Sequence, residues 1–270
     1  MPEFDTPTPI TAVVDLAVAT VHVTASDRAT TAVHVRPTNP ADESDVAIAA
    51  QVTAELVDGE LRITGPRTWL HVDLTRKSRS VDLALDLPTG SAVTATAQAG
   101  DLRATGPLGE CSSKTGVGDI TLDRTGPLRL RTSTGHAAVT AVDGDADLRT
   151  SSGSLVVGEI RGSAQVKNSN GPTRVDEVTG DTRVRSANGD VEIGRAGGAV
   201  DAKSANGHVK AALTQGSSVL ESGMGDIEVG VVAGTSLWLD AHPGHGRVES
   251  LLRRHHRSPR LTPHTQGGAT

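Results

Sequence analysis

Apolar and polar residues alternate with a period of two along most of the chain, the spacing at which a strand presents one face to a core. Val14, Leu16 and Val18 share a face, Val21 and Val23 continue it, and Val33 and Val35 follow the polar turn Ser26-Asp27-Arg28, which predicts three short strands. Asn39, followed by Pro40 and by Asp42 and Glu43, predicts a short helix capped by Asn39, with Val46, Ala49 and Ala50 as its buried stripe. Asp58-Gly59 between Leu56 and Leu61 predicts a hairpin. Val81, Leu83, Leu85 and Leu87 then alternate with Asp82 and Asp86, and Pro88-Thr89-Gly90 turns the chain into a strand around Val93.

From Gly100-Asp101-Leu102 onward, two interleaved glycine series cut the alternation. Gly126, Gly144, Gly162, Gly180, Gly198, Gly216 and Gly234 stand 18 residues apart. Gly118, Gly135, Gly153, Gly171, Gly189, Gly207 and Gly225 lie between them, with the same step after a first one of 17. A fixed period of this size is the signature of a solenoid, whose units bury an apolar face only by stacking on their neighbours. Alternation counted from the first series turns Leu128/Leu130, Ala146/Leu148, Ala164/Val166, Thr182/Val184 and Val200/Ala202 inward; counted from the second it does the same for Ile120/Leu122, Leu155/Val157, Val191/Ile193 and Ile227/Val229. Both series read as corners that need positive φ, with Asn188-Gly189 and Asn206-Gly207 the strongest turn dipeptides. The predicted fold is all-β: a single-stranded β-solenoid (β-helix) of about 18-residue coils with an N-terminal β-rich cap. Residues 1–98 form the capping region, continuous with the solenoid repeats of 99–252. Residues 253–270 form a basic tail, expected to be disordered, where Arg253-Arg254-His255-His256-Arg257-Ser258-Pro259-Arg260 abandons the alternation as a truncated or frame-shifted end would. A poorly capped last coil would favour end-to-end association of copies.

Composition narrows the choice of core and partner. The 270 residues include 30 glycines, one Phe, two Trp and no Tyr, so Val, Ile, Leu and Ala must build the core. A formal net charge of −6 argues against generic nucleic-acid binding, and no specific nucleic-acid partner is expected. The single cysteine, Cys111, cannot form an internal disulfide and reads as a small buried residue. Met1-Pro2-Glu3-Phe4-Asp5 lacks the basic n-region of a signal peptide, and the apolar run from Ala12 to Ala19 is broken by Asp15; the expectation is a soluble, cytoplasmic protein.

The phrases Lys-Asn-Ser-Asn-Gly (167–171), Arg-Ser-Ala-Asn-Gly-Asp-Val-Glu-Ile (185–193), Lys-Ser-Ala-Asn-Gly-His-Val (203–209) and Gly-Met-Gly-Asp-Ile-Glu-Val (223–229) resemble a bacterial family of β-strand repeats of unknown function called putative adhesins. The opening Met1-Pro2-Glu3-Phe4-Asp5-Thr6-Pro7 is similar to that of its actinobacterial members, and the resemblance runs to about Leu252. It implies a single-stranded β-solenoid and carries no catalytic residues that transfer to this chain.

The candidate chemistry is a column of outward positions: Arg131, Arg149, Lys167, Arg185 and Lys203, then Glu221. At about 4.8 Å per coil the five cations would make a ladder roughly 19 Å long, reinforced by Arg129 and Arg183 and offset by Asp147 and Asp201. Such a ladder suits an anionic polymer, membrane headgroups or a protein partner. The Gly-Asp pairs at Asp119, Asp190 and Asp226 are a weaker signal, because His136, Ser154, Pro172 and His208 occupy the same column and break any calcium-roll pattern; turn formation explains them better. His242, His245, His255, His256 and His264 gather near the end without a completing cysteine or carboxylate spacing, so no metal and no cofactor are expected. No Gly-x-Ser-x-Gly elbow is present, and almost no aromatics are available as sugar platforms, so the chain reads as non-enzymatic. Trp69 is expected to pack the N-terminal region over the first coil and Trp238 to cap the final one. The expected function is a binding or assembly scaffold, adhesin-like or envelope-associated through the basic ladder, with a self-associating structural protein as the alternative.

Overall fold

The computed structural model describes residues 2–66, 79–213, 217–231 and 238–250. Each coil contributes one strand to each of two parallel sheets. Sheet I holds Cys111–Val117, Leu128–Thr134, Ala146–Ser152, Ala164–Asn170, Thr182–Asn188, Val200–Asn206, Ser217–Met224 and Trp238–His245. Sheet II is built from the strands between them, such as Ile120–Thr125, Leu155–Ile160 and Val191–Ala196. Leu128 stands beside Ala146, Ala146 beside Ala164, Ala164 beside Thr182 and Thr182 beside Val200, so the 18-residue step of the sequence is the register of the stack. The inward pairs read from the alternation are buried in both sheets, and together they make one continuous core.

The stack begins earlier in the chain than residue 100. Thr11–Ser26 is one strand rather than two, and it changes phase at Ala17-Val18: Ala12, Val14 and Leu16 are buried before that point, Ala19, Val21, Val23 and Ala25 after it. A one-residue slip in the alternation carries the chain around a corner, and Val18 therefore leaves the face it was expected to share. Residues before the slip pair in sheet I with both Glu60–Thr64 and Ala92–Ala99; those after it pair in sheet II with both Val81–Pro88 and Leu102–Pro107. This strand is a complete coil inserted between two others. Beyond it the sheets are closed by antiparallel strands, Thr53–Val57 on sheet I and Thr30–Pro37 followed by Glu3–Asp5 on sheet II. The hairpin at Asp58-Gly59 joins the first of these to its neighbour, as its turn residues required.

The helix spans Glu43–Ala49 and is capped by Asp42, not Asn39. Asp42 Oδ1 accepts from the Ser44 N–H at 2.8 Å, while Asn39 Oδ1 closes the preceding turn by accepting from the Ala41 N–H. Seven residues are too few for an apolar stripe, and Val46 is 44% exposed. The helix is anchored instead by Asp45, fully buried, whose two carboxylate oxygens accept from the Asn39 and Ser80 N–H groups. Trp69 and the tail from residue 251 fall outside the described residues.

The two glycine series are glycine for different reasons. The Gly118 series has positive φ throughout, Gly189 at +138°, and a Cβ on Gly189 would also overlap the carbonyl oxygen of Gly171 in the preceding coil. In the Gly126 series only Gly144, among the described residues, has positive φ; Gly180 has ordinary backbone, but its Cβ would lie 2.7 Å from Gly162 O. Apart from Gly144, the described corners of the Gly126 series are a close approach of backbones rather than a left-handed turn. Gly59, at φ +78° with nothing within 4 Å of a Cβ, isolates the cost of φ alone, about 1–2 kcal/mol for alanine. Gly189→Ala adds the overlap between coils, a further cost of about 1–3 kcal/mol. Urea denaturation is expected to rank Gly189→Ala well below Gly59→Ala in stability; equal midpoints would contradict the close-approach account.

Candidate anion-binding face

Parallel register converts sequence period into side-chain columns, and on the outer face of sheet I one column is cationic. Arg131, Arg149, Lys167, Arg185 and Lys203 stand side by side in successive strands, followed by Glu221. Lys114 extends the column beside Arg131, a residue that counting forward from the Gly126 series misses because the step there is 17. Counting back from the other series finds it, since Lys114 precedes Gly118 by the same four positions as Arg131 precedes Gly135. Six cations then span about 24 Å at the usual strand spacing. Two residues earlier on the same strands runs an inner row: Ser112, Arg129, Asp147, Gln165, Arg183, Asp201 and Val219. An open trough of about 630 Å³ follows that row, lined in part by Arg129, Asp147, Gln165, Arg183 and Asp201.

The two faces of the solenoid treat charge differently. On sheet II, cations sit beside carboxylates of neighbouring coils: Arg174 lies 3.2 Å from Glu192, Lys210 3.1 Å from Glu228 and Arg195 3.4 Å from Glu177, and like charges meet there only as the carboxylate pairs Glu159/Glu177 and Glu228/Glu249 among the described residues of the repeats. Sheet I instead sets like charges beside each other, which costs about 0.9 kcal/mol per neighbouring pair in water before salt screening. Three carboxylates offset part of this. Arg149 donates from Nε and Nη2 to Asp147 at 2.9 and 3.1 Å, Lys203 Nζ lies 2.7 Å from Glu221, and Arg185 Nη2 is 2.5 Å from Asp201 Oδ2, to which Arg183 Nε adds a contact at 3.4 Å. The hydrogen bond from Arg185 holds the Asp201 carboxyl below the usual carboxylate range against the opposing effect of burial, and the charges of Arg185, Lys203 and Arg183 add to it. Lys114, Arg129, Arg131 and Lys167 have no ion pair among the described residues. From the strand of Lys114 to that of Glu221 the two rows carry eight cations against three carboxylates, on a chain whose net charge is −6.

Other positions singled out in the sequence have structural work. Asp119 Oδ1 accepts from the His136 N–H at 2.7 Å, Asp190 Oδ1 from His208 at 2.8 Å and Asp226 Oδ1 from Arg247 at 2.9 Å. Where histidine follows the glycine, its Nδ1 does the same: His136 accepts from Ser154 and His208 from Asp226. In the column that looked irregular, Asp119, His136, Asp190, His208 and Asp226 are thus acceptors for the next coil's backbone, a role that Pro172 cannot play. Asn188 and Asn206 form an amide ladder with Asn170, each Nδ2 donating to the Oδ1 of the coil before at 2.8 and 2.9 Å. Cys111 is buried, and that burial pushes its thiol up to about 12. His242 stands beside Glu221 in the same column and contacts Asp240 at 2.5 Å, and His245 is exposed; His255, His256 and His264 fall outside the described residues. No three His, Cys, Asp or Glu side chains are grouped to hold a metal among the described residues. Trp238, expected as a cap, pairs beside Ser217 at the start of an edge strand and is 56% exposed. No helix among the described residues is long and apolar enough to cross a membrane.

A profile described as Toastrack DUF4097 matches residues 12–266, nearly the whole chain and 14 residues beyond Leu252. The chain belongs to the toastrack DUF4097 family. Solved structures similar to this toastrack chain include a putative adhesin from Parabacteroides merdae ATCC 43184, 14% identical with a TM-score of 0.49, and one from Parabacteroides distasonis ATCC 8503, 16% identical with the same TM-score; each comparison covers 93% of this chain and 95% of the other. A structure described as a putative lipid binding protein, also from Parabacteroides distasonis ATCC 8503, is 11% identical with a TM-score of 0.45 and coverages of 93% and 96%. No curated protein matches the chain.

Folding of the toastrack chain lowers the Asp201 pKa, so its pairing stabilises fully above the unfolded value of about 3.9 and is lost as pH falls through the lower, folded value. Asp201→Asn removes this contribution. Urea midpoints followed down to about pH 2 should therefore fall less steeply with acid for the variant than for the wild type. Parallel acid limbs would contradict the pairing.

Proposed function

We propose that the chain is a non-enzymatic binding scaffold whose sheet I face holds a linear anionic polymer along the coil axis. The observation that carries this reading is the register-aligned row of cations from Lys114 to Lys203, maintained against the mutual repulsion of its members on a chain of net negative charge. A row one residue wide matches a polymer with a repeating charge better than it matches a membrane. The inner row is mixed in sign, and the row on the other side, at Ser133, Ser151, Ser169, Ala187 and Ala205, holds only small residues that give no apolar anchor for lipid. The trough beside the row has the same elongated form. No nucleophile and base are needed for this role, and the charged side chains of the face have the fixed, guanidinium-rich character of an oxyanion receptor.

Capture of long-chain polyphosphate on a surface tests the proposal. With about six contacts, binding should weaken on the order of 10²–10³-fold between about 50 and 200 mM salt, and changing Arg131, Arg149, Lys167, Arg185 and Lys203 together to Glu should abolish it. Salt-insensitive capture, or capture unchanged by the reversal, would contradict the proposal, and capture of anionic vesicles alone would replace the polymer with a membrane. A second expectation concerns stability. Arg131→Gln relieves repulsion and breaks no ion pair, so its urea midpoint should equal or exceed that of the wild type while polyphosphate capture weakens; a clear fall in the midpoint would make Arg131 a structural residue.

A further inference from the structure

The solenoid contains two copies of one arrangement on sheet I, 54 residues apart, and they differ in a way that points to a specific anion site. In the later copy, Arg183 and Arg185 project from one strand and the register partners Asp201 and Lys203 from the next. Asp201 reaches back across the strand gap: its Oδ2 takes a 2.5 Å bond from Arg185 and a 3.4 Å contact from Arg183. Two arginines at i and i+2 on this face therefore close around one carboxylate. The earlier copy has Arg129 and Arg131 on one strand, with Asp147 and Arg149 on the next. Here Asp147 turns to Arg149 on its own strand, at 2.9 and 3.1 Å, and neither Arg129 nor Arg131 has an ion pair among the described residues. On their other flank, Arg129 faces Ser112 and Arg131 faces Lys114, again with no carboxylate.

We propose that Ser112, Lys114, Arg129 and Arg131 form a site for a phosphate or sulfate ester group, and that Asp201 is the chain's own occupant of the matching arginine pair. The proposal rests on the polyanion reading and assigns the first contact on that face. Ser112, Lys114, Arg129 and Arg131 are corners of a patch about 4.8 Å by 6.6 Å, the strand spacing by two residues of rise, which brings their tips within reach of one tetrahedral group. The two guanidinium forks suit paired oxygens, Lys114 supplies a third positive charge and Ser112 a hydroxyl donor. Three cations exceed the demand of a single carboxylate and match a dianion. The partnered cations Arg149, Arg185 and Lys203 must give up Asp147, Asp201 and Glu221 before they can bind the same group, so they engage second.

Calorimetric titration of the full chain with inorganic pyrophosphate reads the site directly. One equivalent per chain is expected for the wild type and at least a tenfold weakening for Lys114→Gln/Arg129→Gln/Arg131→Gln, while the sheet II variant Arg174→Gln/Arg195→Gln binds as the wild type does. Asp201→Asn should open the second arginine pair and raise the stoichiometry toward two. A cooperative urea transition and a wild-type circular-dichroism spectrum establish that each variant is folded. Titration with vesicles of phosphatidylcholine and phosphatidic acid asks whether the group can be presented from a lipid headgroup: capture lost in the triple variant supports the site with that source. Equal pyrophosphate binding by the triple variant and the wild type overturns the proposal, as does equal loss in Arg174→Gln/Arg195→Gln. Polyphosphate capture that survives the triple variant but is lost when Arg149, Lys167 and Lys203 are replaced would overturn this site and leave the polyanion reading standing.

Discussion

Backbone contact between successive coils at the corners is the constraint from which the rest of the molecule follows. Gly189 shows it in one residue: its N–H donates to Asn206 O at 2.8 Å in the next coil, and its Cα lies so close to Gly171 of the coil before that a methyl group cannot be placed there. Contacts of this kind recur at both corners, so each coil is clamped to its neighbours over the whole cross-section and cannot slide by a residue without forcing a side chain into backbone. Fixed register means fixed columns. Whatever residue type recurs at one place in the repeat becomes a row about 4.8 Å in pitch, buried or exposed.

Most of the rows serve the clamp itself. Aliphatic rows fill the core, and the asparagine row exchanges amide hydrogen bonds from coil to coil. At the inner end of the sheet I strands, small polar side chains answer the corner carbonyls: Asn168 Nδ2 donates to Gly153 O and Gly171 O, Ser204 to Gly189 O and Ser222 to Gly207 O. Carboxylates and histidines after the glycines do the same for exposed N–H groups. On sheet II, Arg174, Arg195 and Lys210 each have a carboxylate of a neighbouring coil to attract. Against this background the sheet I cations stand apart, because no stacking requirement accounts for six like charges in one row. Exposed ion pairs return only about 0–1 kcal/mol each, so Asp147, Asp201 and Glu221 temper the repulsion without explaining the row.

The fold was readable because a repeat states its own period. Leu128, Leu148, Val166 and Val184 needed only alternation and an 18-residue count to be placed in the core, and the Arg/Lys column followed from the same arithmetic. What escaped was whatever the period does not encode. The inserted coil at Thr11–Ser26 depends on pairing with residues some 50 to 80 positions later, and its phase slip at Ala17-Val18 reads in sequence as two separate strands. The Asp45 anchor of the helix is a long-range contact to Ser80 that no local pattern announces. Lys114 was hidden by a single 17-residue step, and the Gly126 series looked like left-handed turns because glycine alone does not say whether φ or space is the reason for it. Least visible was the choice of partners among charges: Asp147 and Asp201 occupy equivalent positions, yet one turns along its own strand and the other across to the strand before.

Side-chain NMR of the arginine Nε–H groups during addition of polyphosphate tests the central claim most directly, since it reports which face of the solenoid meets the anion. The account predicts that Arg129 and Arg131 shift first, Arg149, Arg183 and Arg185 later, and the sheet II residues Arg174 and Arg195 hardly at all. Equal shifts on both faces, or none on sheet I, would contradict it.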